Sequence, residues 1–424
     1  MASSLTSSGV EQARTALRPA PRQVVRWARP RQSAHRPAPV HRIEWITEPG
    51  RFAELSEQWD WLAARQPTPF GRHAWFSAWW DAFGAGGQLS VCAVWRGRRL
   101  VAGLPLWRRG KAMRVMANVH TPVFQVPACD HRAREAAFSA ALRAAPGALE
   151  VEALAATDPA LPALARDSRG ARRVALVESL HTSLIIDLAD DFEAYRRLHP
   201  TRCRKLAKLG RKMHRDHQTE VALLEAHTEL ERELERCFEL EAAGWKGAAG
   251  TAIVSAAETA RFYRSVASAY QRLGELRLST ITLDGELAAF DLCLLHANRL
   301  WTLKGTYNES YRRLSPGMVL LLWEIERSFE LGLEAVELLG GTEEYKLAFA
   351  TSERQHRRFR AYRRRPASLA RFAYRRWARP ALRNGYRQLP GRSRGTEGGI
   401  HRPLLWRGAA IWCGLPLEPP PFVT

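Results

Sequence analysis

The segment from Arg299 to Phe349 constrains the fold more than any other part of this 424-residue chain. It opens with an apolar run at Leu300–Leu303 that is typical of a strand. A long apolar helix follows over 316–331 and stops before Gly332, a residue that suits the position just after a helix C-terminus. The next apolar run, Ala335–Leu339, predicts a buried strand. The segment therefore predicts the order strand, turn, helix, strand.

The start of this helix has the features of an anion-binding site. Ser315 suits the N-cap and Pro316 the first helical position, where its missing N–H costs nothing. A helix N-terminus offers free N–H groups and the positive end of the helix dipole. Gly317 lets a ligand approach the backbone, and Arg312 and Arg313 add two positive charges. The pattern predicts a phosphate-bearing ligand. For the tripeptide Ser315-Pro316-Gly317 taken alone, the alternative is an ordinary helix start with solvated arginines.

Composition and cysteine usage predict a cytoplasmic globular protein. Apolar residues make up 46% of the sequence, and the length allows two domains or one duplicated domain. Apolar runs stay below the ~20 residues of a membrane span, and we expect no secretory signal. The six cysteines include no C-x-x-C pair, which argues against a disulfide framework or a zinc site and fits a reducing compartment.

The formal charge of +21 is concentrated towards the two ends of the sequence. Residues 1–42 hold eight arginines and one acid, and residues 354–403 hold sixteen arginines and one acid. The folded part in between is therefore close to neutral. We interpret residues 1–42 as a disordered basic segment and residues 366–424 as a basic tail. We expect the charge to report on what these tails contact, and not on the substrate pocket.

A weak internal repeat predicts two related halves. Residues Val91–Leu106 and Thr280–Leu294 both have the pattern of a strand, a polar turn with glycine, small residues and a second strand. Asp284-Gly285 is a strong hairpin signal in the second of these. The first half has no counterpart of the Ser-Pro-Gly loop, which makes it the degenerate member of the pair.

The predicted halves cover residues 43–180 and 181–365. Two short predicted strands, Val174–Val177 and Ser183–Leu188, lie on either side of the division. The basic tail begins after the second half.

The second half resembles a known family. Its glycines, tyrosines and Ser-Pro-Gly loop occur in the order found in the CelD-like (cellulose-biosynthesis-associated) branch of the GNAT acetyltransferases, which is related to the FemABX-type transferases. The residues that carry this resemblance are Gly305, Tyr307, Tyr311, Leu314, Ser315, Pro316, Gly317, Gly332, Leu333, Gly341, Glu344, Tyr345 and Lys346. In the first half, Phe-x4-Trp-Phe-x2-Trp-Trp at 70–80 and Val-Ala-Gly-Leu-Pro-Leu at 101–106 are similar to the N-terminal part of the same proteins. The tryptophans themselves fit a hydrophobic core better than a ligand site.

The resemblance implies an α/β (α+β) fold of tandem GNAT-like halves, each a mixed, mostly antiparallel twisted sheet flanked by helices. It implies acetyl-CoA, or another acyl-CoA, as co-substrate and no metal. The loop before the helix would bind the pyrophosphate of the cofactor, through Arg312, Arg313, Leu314, Ser315, Pro316, Gly317 and Met318. The family's usual loop has two glycines where this sequence has one.

Acyl transfer also needs a polarised thioester carbonyl and a group that accepts the acceptor's proton. By the resemblance, a strand pair that splays around Trp301–Gly305 would offer a backbone N–H to the carbonyl. A general base contributes roughly 10²–10⁴ in rate. The candidate catalytic residues are Tyr307, Glu343, Glu344, Tyr345 and Asp291, the last a lone carboxylate in an apolar strand. The candidate substrate-binding residues are Arg211, Trp245, Lys304 and Lys346.

These features favour N- or O-acetyl transfer to a sugar, a polysaccharide precursor or an amine in envelope or exopolysaccharide biosynthesis. The alternatives are a FemABX-like transferase that uses aminoacyl-tRNA and a non-catalytic adaptor of a polysaccharide-synthesis complex. An arginine-rich amphipathic stretch at Arg363–Arg387 predicts peripheral binding to an anionic membrane, with an unbound solvated tail as the equal alternative and RNA as the weaker partner. The oligomeric state stays open.

Overall fold

An eleven-stranded mixed sheet forms the frame of the structure, a computed structural model that describes residues 41–225, 229–341 and 343–379. Most of the predicted N-terminal segment (1–40) and most of the tail (380–424) lie outside the described residues. The strands, in chain order, are β1 Arg42–Ile46, β2 Gln88–Leu89, β3 Val91–Arg96, β4 Arg99–Leu104, β5 Leu106–Arg109, β6 Ala112–Val115, β7 Ala148–Ala155, β8 Arg173–Asp187, β9 Thr219–Glu225, β10 Leu276–Leu283, β11 Glu286–His296, β12 Arg299–Tyr307, β13 Ala335–Gly340 and β14 Ser352–Arg363. Their order in the large sheet is β2-β5-β6-β7-β14-β8-β13-β12-β11-β10-β9, and β1, β3 and β4 form a separate sheet.

Helices cover both faces of the large sheet. They are α1 Pro49–Ala53, α2 Ser56–Ala63, α3 His73–Phe83, α4 His131–Ala144, α5 Ala160–Gly170, α6 Phe192–Leu198, α7 Pro200–Asp216, α8 Leu230–Ala243, α9 Trp245–Ala248, α10 Ala257–Arg272, α11 Pro316–Glu330, α12 Glu344–Leu347 and α13 Pro366–Ala373. Short 3₁₀ turns lie at Pro69–Gly71, Ile253–Ser255 and Glu309–Leu314, and a π-helical turn at Tyr374–Ala378 follows α13. Within the described residues, no helix is both long and apolar enough to cross a bilayer.

Local turn chemistry sets both predicted hairpins. In the β10–β11 turn, Asp284 and Gly285 have φ values of 52° and 83°, as a two-residue type I′ turn requires. In the β3–β4 turn, Gly97 has a φ of 61°. Both hairpins are confirmed, but they belong to different sheets: β3–β4 to the three-stranded sheet and β10–β11 to the large one.

Two parallel strand pairs interrupt an otherwise antiparallel sheet, one in each half. β6 pairs with β7, and β12 pairs with β13, each over three residues of each strand. A helix makes the crossover in each case, α4 in the first half and α11 in the second. This repeated strand–helix–strand unit confirms the predicted α/β fold of mixed, mostly antiparallel sheet flanked by helices.

The C-terminal strand β14 joins the two halves. It pairs with β7 on one side and with β8 along its whole length on the other. Because β14 bridges the polar middle of β8, that strand runs unbroken over Arg173–Asp187, and the prediction of two separate strands at Val174–Val177 and Ser183–Leu188 was wrong. The predicted division at residue 180 lies inside β8, so the division into two halves stays a prediction.

Aromatic side chains fill the core between the sheet and helices α3 and α10. Trp75 meets Phe262 edge to face at a ring-centroid distance of 5.0 Å, and Phe70 meets Trp301 in the same way at 5.5 Å. The Tyr270 hydroxyl donates to the Pro69 carbonyl at 2.7 Å. Each aromatic side chain buries on the order of 150–250 Å². The tryptophan cluster is therefore core, as expected, and it packs first-half residues against second-half helices.

Some arginines of the basic C-terminal region form ion pairs inside the folded sheet. Arg354 on β14 forms an ion pair with the fully buried Glu337, and Arg360 forms one with Glu150. The expectation that the positive charge lies in the tails was therefore wrong for residues 354–363. β14 lies inside the sheet, where its arginines face acids on β7, β8 and β13.

We predict that Arg354→Met lowers the free energy of unfolding by about 3 kcal/mol, because it strips a bidentate partner from a buried carboxylate. Both guanidinium contacts to Glu337 measure 2.9 Å, and Arg299 supplies the remaining one at 2.7 Å. Urea denaturation measures the change. Arg357→Met on the same strand is the control, since Arg357 contacts the neutral side chains of Ser179 and Gln355, and it should stay within about 0.5 kcal/mol. Equal losses for the two variants would contradict this role of Arg354.

Candidate active site

The parallel strands β12 and β13 separate after three residue pairs. The last pair joins Trp301 to Glu337, although both strands continue beyond it. On its other side, β12 carries a bulge, because Thr302 lies opposite Cys293 while Lys304 lies opposite Leu292. Leu303 is thus the extra residue, and such a bulge bends a strand and leaves backbone groups unpaired. The predicted splay around 301–305 is present in the structure.

The loop between β12 and α11 leaves the start of the helix open. Pro316 is the first helical residue and Gly332 follows the helix end with a φ of 65°, as predicted. Ser315 occupies the N-cap position, but in the left-handed conformation (φ 51°, ψ 50°), and its hydroxyl caps no backbone N–H. The predicted N-cap position of Ser315 is therefore confirmed, but its side chain does not cap the helix, because a left-handed Ser315 does not have the extended geometry of an ordinary N-cap.

The corresponding crossover helix of the first half, α4, has a side-chain cap at its N-terminus. At the start of α4, the Asp130 carboxylate accepts from the Ala133 N–H at 2.8 Å and forms an ion pair with Arg96 at 2.9 Å. An anion at this helix start would meet a resident carboxylate. The two crossover helices thus differ in the property that makes a helix start an anion site.

No packing requirement in the structure explains Gly317. A Cβ at this position would lie 3.5 Å from the Tyr307 Cβ, an ordinary van der Waals distance, and nothing closer stands in its way. Glycine in a helix costs roughly 0.5–1 kcal/mol relative to alanine. Nearby, the side chains of Arg312 and Arg313 are exposed and form no ion pair with any residue that the structure describes. Leu314 is buried and Met318 packs against the core beneath α11.

A pair of carboxyl groups lies between the sheet and α11. Glu324 is fully buried, with one carboxyl oxygen 3.9 Å from the Cys293 Sγ and the other without a hydrogen-bond partner among the described residues, and Asp291 and Ser279 lie near enough to affect its pKa. Gly305 leaves the space for the Asp291 carboxyl, since a Cβ there would lie 1.6 Å from Oδ1. Burial raises the pKa of Asp291 to about 7, against the opposing effects of Glu324, Lys246 and Lys346. Burial and the Asp291 charge also raise the pKa of Glu324 well above its usual range. The pair therefore holds a proton near neutral pH.

The structure brings some predicted residues together near this pair. Tyr307 lies against Gly317. Lys346 donates to the Gly340 carbonyl at 3.0 Å and lies 3.4 Å from Glu343. Burial, with the charges of Glu343 and Asp291, raises the pKa of Tyr345.

Other predicted residues lie at the edge of this cluster or away from it. The Trp245 side chain is 54% exposed at the start of α9, where the Trp245 backbone N–H donates to the Glu309 carboxylate. Glu344 is exposed at the start of α12. Arg211 is on the exposed face of α7 and forms no ion pair with the described residues. The structure thus leaves Arg211 without a link to the carboxyl pair.

Several groups at the site were missed by sequence reasoning. They are Glu241, Lys246, Glu324, His120 and Tyr263. A signal existed for Glu324, which interrupts the apolar run Val319–Ile325 inside a predicted core helix. His120 comes from the first half, and only the tertiary fold brings it to α10.

We predict that Glu324→Gln changes the pH dependence of stability. The folded pKa values of Glu324 and Asp291 are raised, so the folded state binds more protons than the unfolded state above about pH 4.5. This carboxyl pair should therefore contribute a slope in which stability falls as pH rises from 5 to 8, by up to about 1.4 kcal/mol per pH unit for each excess proton, while the buried histidines, whose pKa values are lowered, contribute the opposite slope below about pH 6.5 in the wild type and the variant alike. Glu324→Gln should flatten this slope in urea denaturation.

The control is Glu330→Gln, an exposed residue on the same helix that pairs with Arg327. Its pH profile should run parallel to that of the wild type. A Glu324→Gln profile that also ran parallel would show that the buried pair holds no extra proton.

Comparison with known proteins identifies part of the chain. Residues 201–347 match the model of the acetyltransferase (GNAT) domain family, described as Acetyltransf_6. No curated protein sequence matches the chain.

The solved structures that match this chain are distant from it in sequence. One is the C-terminal domain of a putative lysylphosphatidylglycerol synthetase from Agrobacterium fabrum, at 14% identity and a TM-score of 0.49, covering 81% of this chain and 99% of that one. FemX matches at 10% identity and a TM-score of 0.49, covering 74% and 96%. A tandem GNAT protein from the clavulanic acid biosynthesis pathway matches at 13% identity and a TM-score of 0.42, covering 75% and 98%.

The matched segment contains the splayed strands β12 and β13, the open start of α11 and the carboxyl pair. The chain therefore carries a GNAT-type acyltransferase domain over residues 201–347.

Proposed function

We propose that the protein transfers an acyl group, in the first instance acetyl, from acyl-CoA to an amino or hydroxyl group of an acceptor. The observation that carries this proposal is the open start of α11 beside the splayed strands, with Gly317 where the packing would accept a side chain. The CelD-like relationship and a role in polysaccharide synthesis are part of the proposal, as are the two halves at 43–180 and 181–365.

The start of α11 would bind the pyrophosphate of the cofactor. Pro316 has no N–H and the Met318 N–H donates to the Ser315 carbonyl at 3.0 Å, so the Gly317 N–H and the positive end of the helix dipole are what this helix start offers to a phosphate. Arg312 and Arg313 are exposed and unpaired among the described residues, so they can pair with phosphate at no cost to an existing ion pair. Leu314, Ser315 and Pro316 shape the loop, and Met318 continues the first turn of the helix.

The splay would hold the thioester. Beyond Trp301 the edge of β12 no longer pairs with β13, so a backbone N–H near the Leu303 bulge is available to polarise the carbonyl oxygen. The acceptor nitrogen or oxygen attacks the carbonyl carbon, the C–S bond breaks, and the acceptor loses one proton while the thiolate gains one.

Asp291 is the base that we favour among the candidates. A carboxyl with a pKa of about 7 is half deprotonated at neutral pH, near the optimum for a general base. Tyr345 is protonated at neutral pH, and because its raised pKa makes it a weak acid, it suits a hydrogen bond to the departing thiolate, which then takes its proton from solvent. Tyr307 lies against the cofactor loop and suits a positioning role, and Glu344 is exposed.

The acceptor and the location in the cell extend the proposal. A sugar, a polysaccharide precursor or an amine could enter from the α8–α10 face, where Lys304 and Trp245 lie. The protein would act in the cytoplasm, with the tail holding it at an anionic membrane. In the described part of that tail, Leu369 and Trp377 are 38% and 60% exposed beside exposed arginines.

We predict that Gly317→Asp weakens acetyl-CoA binding while the fold is kept or stabilised. A carboxylate in the first turn of a helix is favourable for the helix dipole by roughly 0.3–1 kcal/mol, but it repels a pyrophosphate at the same place. Isothermal titration should show a loss of affinity of about thirtyfold or more, which corresponds to roughly 2 kcal/mol.

Gly317→Asn is the matched control, because it has the same shape without the charge. It should lose less affinity than Gly317→Asp, and both variants should melt at or above the wild-type temperature. Equal acetyl-CoA affinity for the wild type and Gly317→Asp would refute the cofactor site, as would the absence of acetyl-CoA binding by the wild type.

We predict that Asp291→Asn lowers kcat about a hundredfold without changing acetyl-CoA affinity, because it removes the base and keeps the shape. Release of free thiol from acetyl-CoA, with a panel of amines and amino sugars, measures the rate. In the wild type, kcat/KM should rise with pH through about 7 as Asp291 loses its proton, and this limb should vanish in Asp291→Asn.

Glu344→Gln tests the competing carboxylate under the same conditions and should retain most of the rate. A large loss in Glu344→Gln with little change in Asp291→Asn would reverse the assignment of the base.

A further inference from the structure

Two lysines border the gap between the splayed strands. The Lys246 ammonium donates to the Gly305 carbonyl on β12 at 2.7 Å, and the Lys346 ammonium donates to the Gly340 carbonyl near the end of β13 at 3.0 Å. β12 and β13 are no longer paired at these positions. Positive charge therefore lies on both sides of the gap.

A third lysine lies on the same stretch of β12 and is not neutralised. The Lys304 ammonium is 5.3 Å from the centroid of the Tyr263 ring, and Lys304 forms no ion pair or hydrogen bond with the described residues. Burial lowers the pKa of Lys304, and Lys246 and Lys346 lower it further against the opposing charge of Glu241. The three ammonium groups are thus within electrostatic reach of one another. We call Lys246, Lys304 and Lys346 the lysine cluster.

The nearby acids are engaged elsewhere. One Glu241 carboxylate oxygen accepts from Lys246 at 2.8 Å and the other accepts from the Ile253 N–H at 2.7 Å. Glu343 lies 3.4 Å from Lys346 with its side chain 52% exposed. Asp291 lies on the side of the sheet that faces Glu324 of α11, and its raised pKa leaves it partly protonated near pH 7. Among the described residues Lys304 therefore has no ion-pair partner of its own, because Glu241, whose charge favours the protonated lysine, is bonded to Lys246.

The wall opposite Lys304 is polar and uncharged. His120 hydrogen-bonds to the Tyr263 hydroxyl at 3.3 Å and to the Thr259 hydroxyl at 3.4 Å. Burial and the neighbouring Lys304 lower the pKa of His120 to about 4, so the imidazole is neutral at pH 7. This wall combines a first-half loop with α10, and it offers hydrogen bonds without a charge that would compete for Lys304.

We propose that the lysine cluster binds a carboxylate or phosphate group of the acceptor, so that the acceptor is an anionic amine or alcohol. This rests on the proposed function, because the cluster borders the gap in which the thioester would lie. Lys304 supplies the unbalanced charge, and Lys246 and Lys346 strengthen the positive potential around it. A neutral acceptor would leave the partly buried Lys304 charge without a partner.

A protection experiment on the full-length protein tests the site without knowledge of the acceptor. Lysines are labelled with acetic anhydride, with and without saturating CoA, and the rate at Lys304 is followed by peptide mass spectrometry. Phosphate or acetate should slow labelling of Lys304 about fivefold, while chloride at equal ionic strength should not. Lys208, exposed on α7, is the control in the same sample and should not respond. Equal effects of phosphate, acetate and chloride would overturn the proposal, and the stronger of the two protecting anions identifies the preferred group.

An activity experiment tests the same idea on the acceptor. Glucosamine is compared with glucosamine 6-phosphate, and ethylamine with β-alanine. The wild type should prefer the anionic member of at least one pair about tenfold in kcat/KM. Lys304→Gln should remove this preference, while Lys304→Arg and Lys208→Gln should keep it. A preference for the neutral member, or one that survives Lys304→Gln, would overturn the proposal.

Acetyl-CoA titration separates this proposal from the proposed function. Lys304→Gln should bind acetyl-CoA as the wild type does, since Lys304 lies away from the start of α11. A wild type that failed to bind acetyl-CoA while phosphate still protected Lys304 would refute the acyltransferase proposal and leave the anion site standing. A wild type that bound acetyl-CoA while phosphate gave no protection of Lys304 would refute the anion site and leave the acyltransferase proposal standing.

Discussion

The buried carboxylate of Glu337 holds the sheet together at the point where it opens. Arg299 of the adjacent strand β12 and Arg354 of β14 both bind it, so one carboxylate on β13 connects β12 with β14 across the intervening strand β8. Glu337 is fully buried, and its desolvation is offset only while both guanidinium groups are in place. Immediately beyond this point β12 and β13 part. The gap, the bulge and the lysine cluster all lie on the far side of this ionic clamp.

The opening divides the chemistry between the two faces of the sheet. On the α11 face lie the open helix start and the carboxyl pair Asp291–Glu324, which suit phosphate binding and proton transfer. On the α8–α10 face lies Lys304 with its polar wall, which suits the acceptor. The Leu303 bulge changes which residues of β12 face each side, and this places Gly305 against Asp291 while Lys304 points to Tyr263. A regular strand would not bring both groups to the same gap from opposite faces.

The two halves share the strand–helix–strand unit, but only in the second half does the crossover helix start without a side-chain cap. Both contain a parallel pair joined by a helix, yet Asp130 caps the first helix, while the second, α11, has no side-chain cap. The first half instead contributes structure. Its aromatic residues pack against α10, and its loop at His120 forms one wall of the proposed acceptor site. The first half thus has no anion loop of its own but contributes to the proposed acceptor site.

The sequence by itself determined the local elements. Alternating apolar runs, Asp284-Gly285, Pro316 and Gly332 fixed the hairpins and the limits of α11, because each depends on neighbouring residues only. It also predicted a cofactor loop at the start of α11 and singled out Asp291 as an unusual carboxylate. The family resemblance supplied the fold class and the expected splay.

Only the tertiary structure decided which charges are buried and which partners they meet. β8 is continuous because β14, distant in sequence, pairs along it, and Ser315 adopts a left-handed conformation that its residue type does not indicate. Glu324, Lys246 and His120 join the site through contacts between elements far apart in the chain. Burial and opposing charges act through space, so the pKa values and the uncompensated Lys304 charge depend on packing that no local pattern encodes.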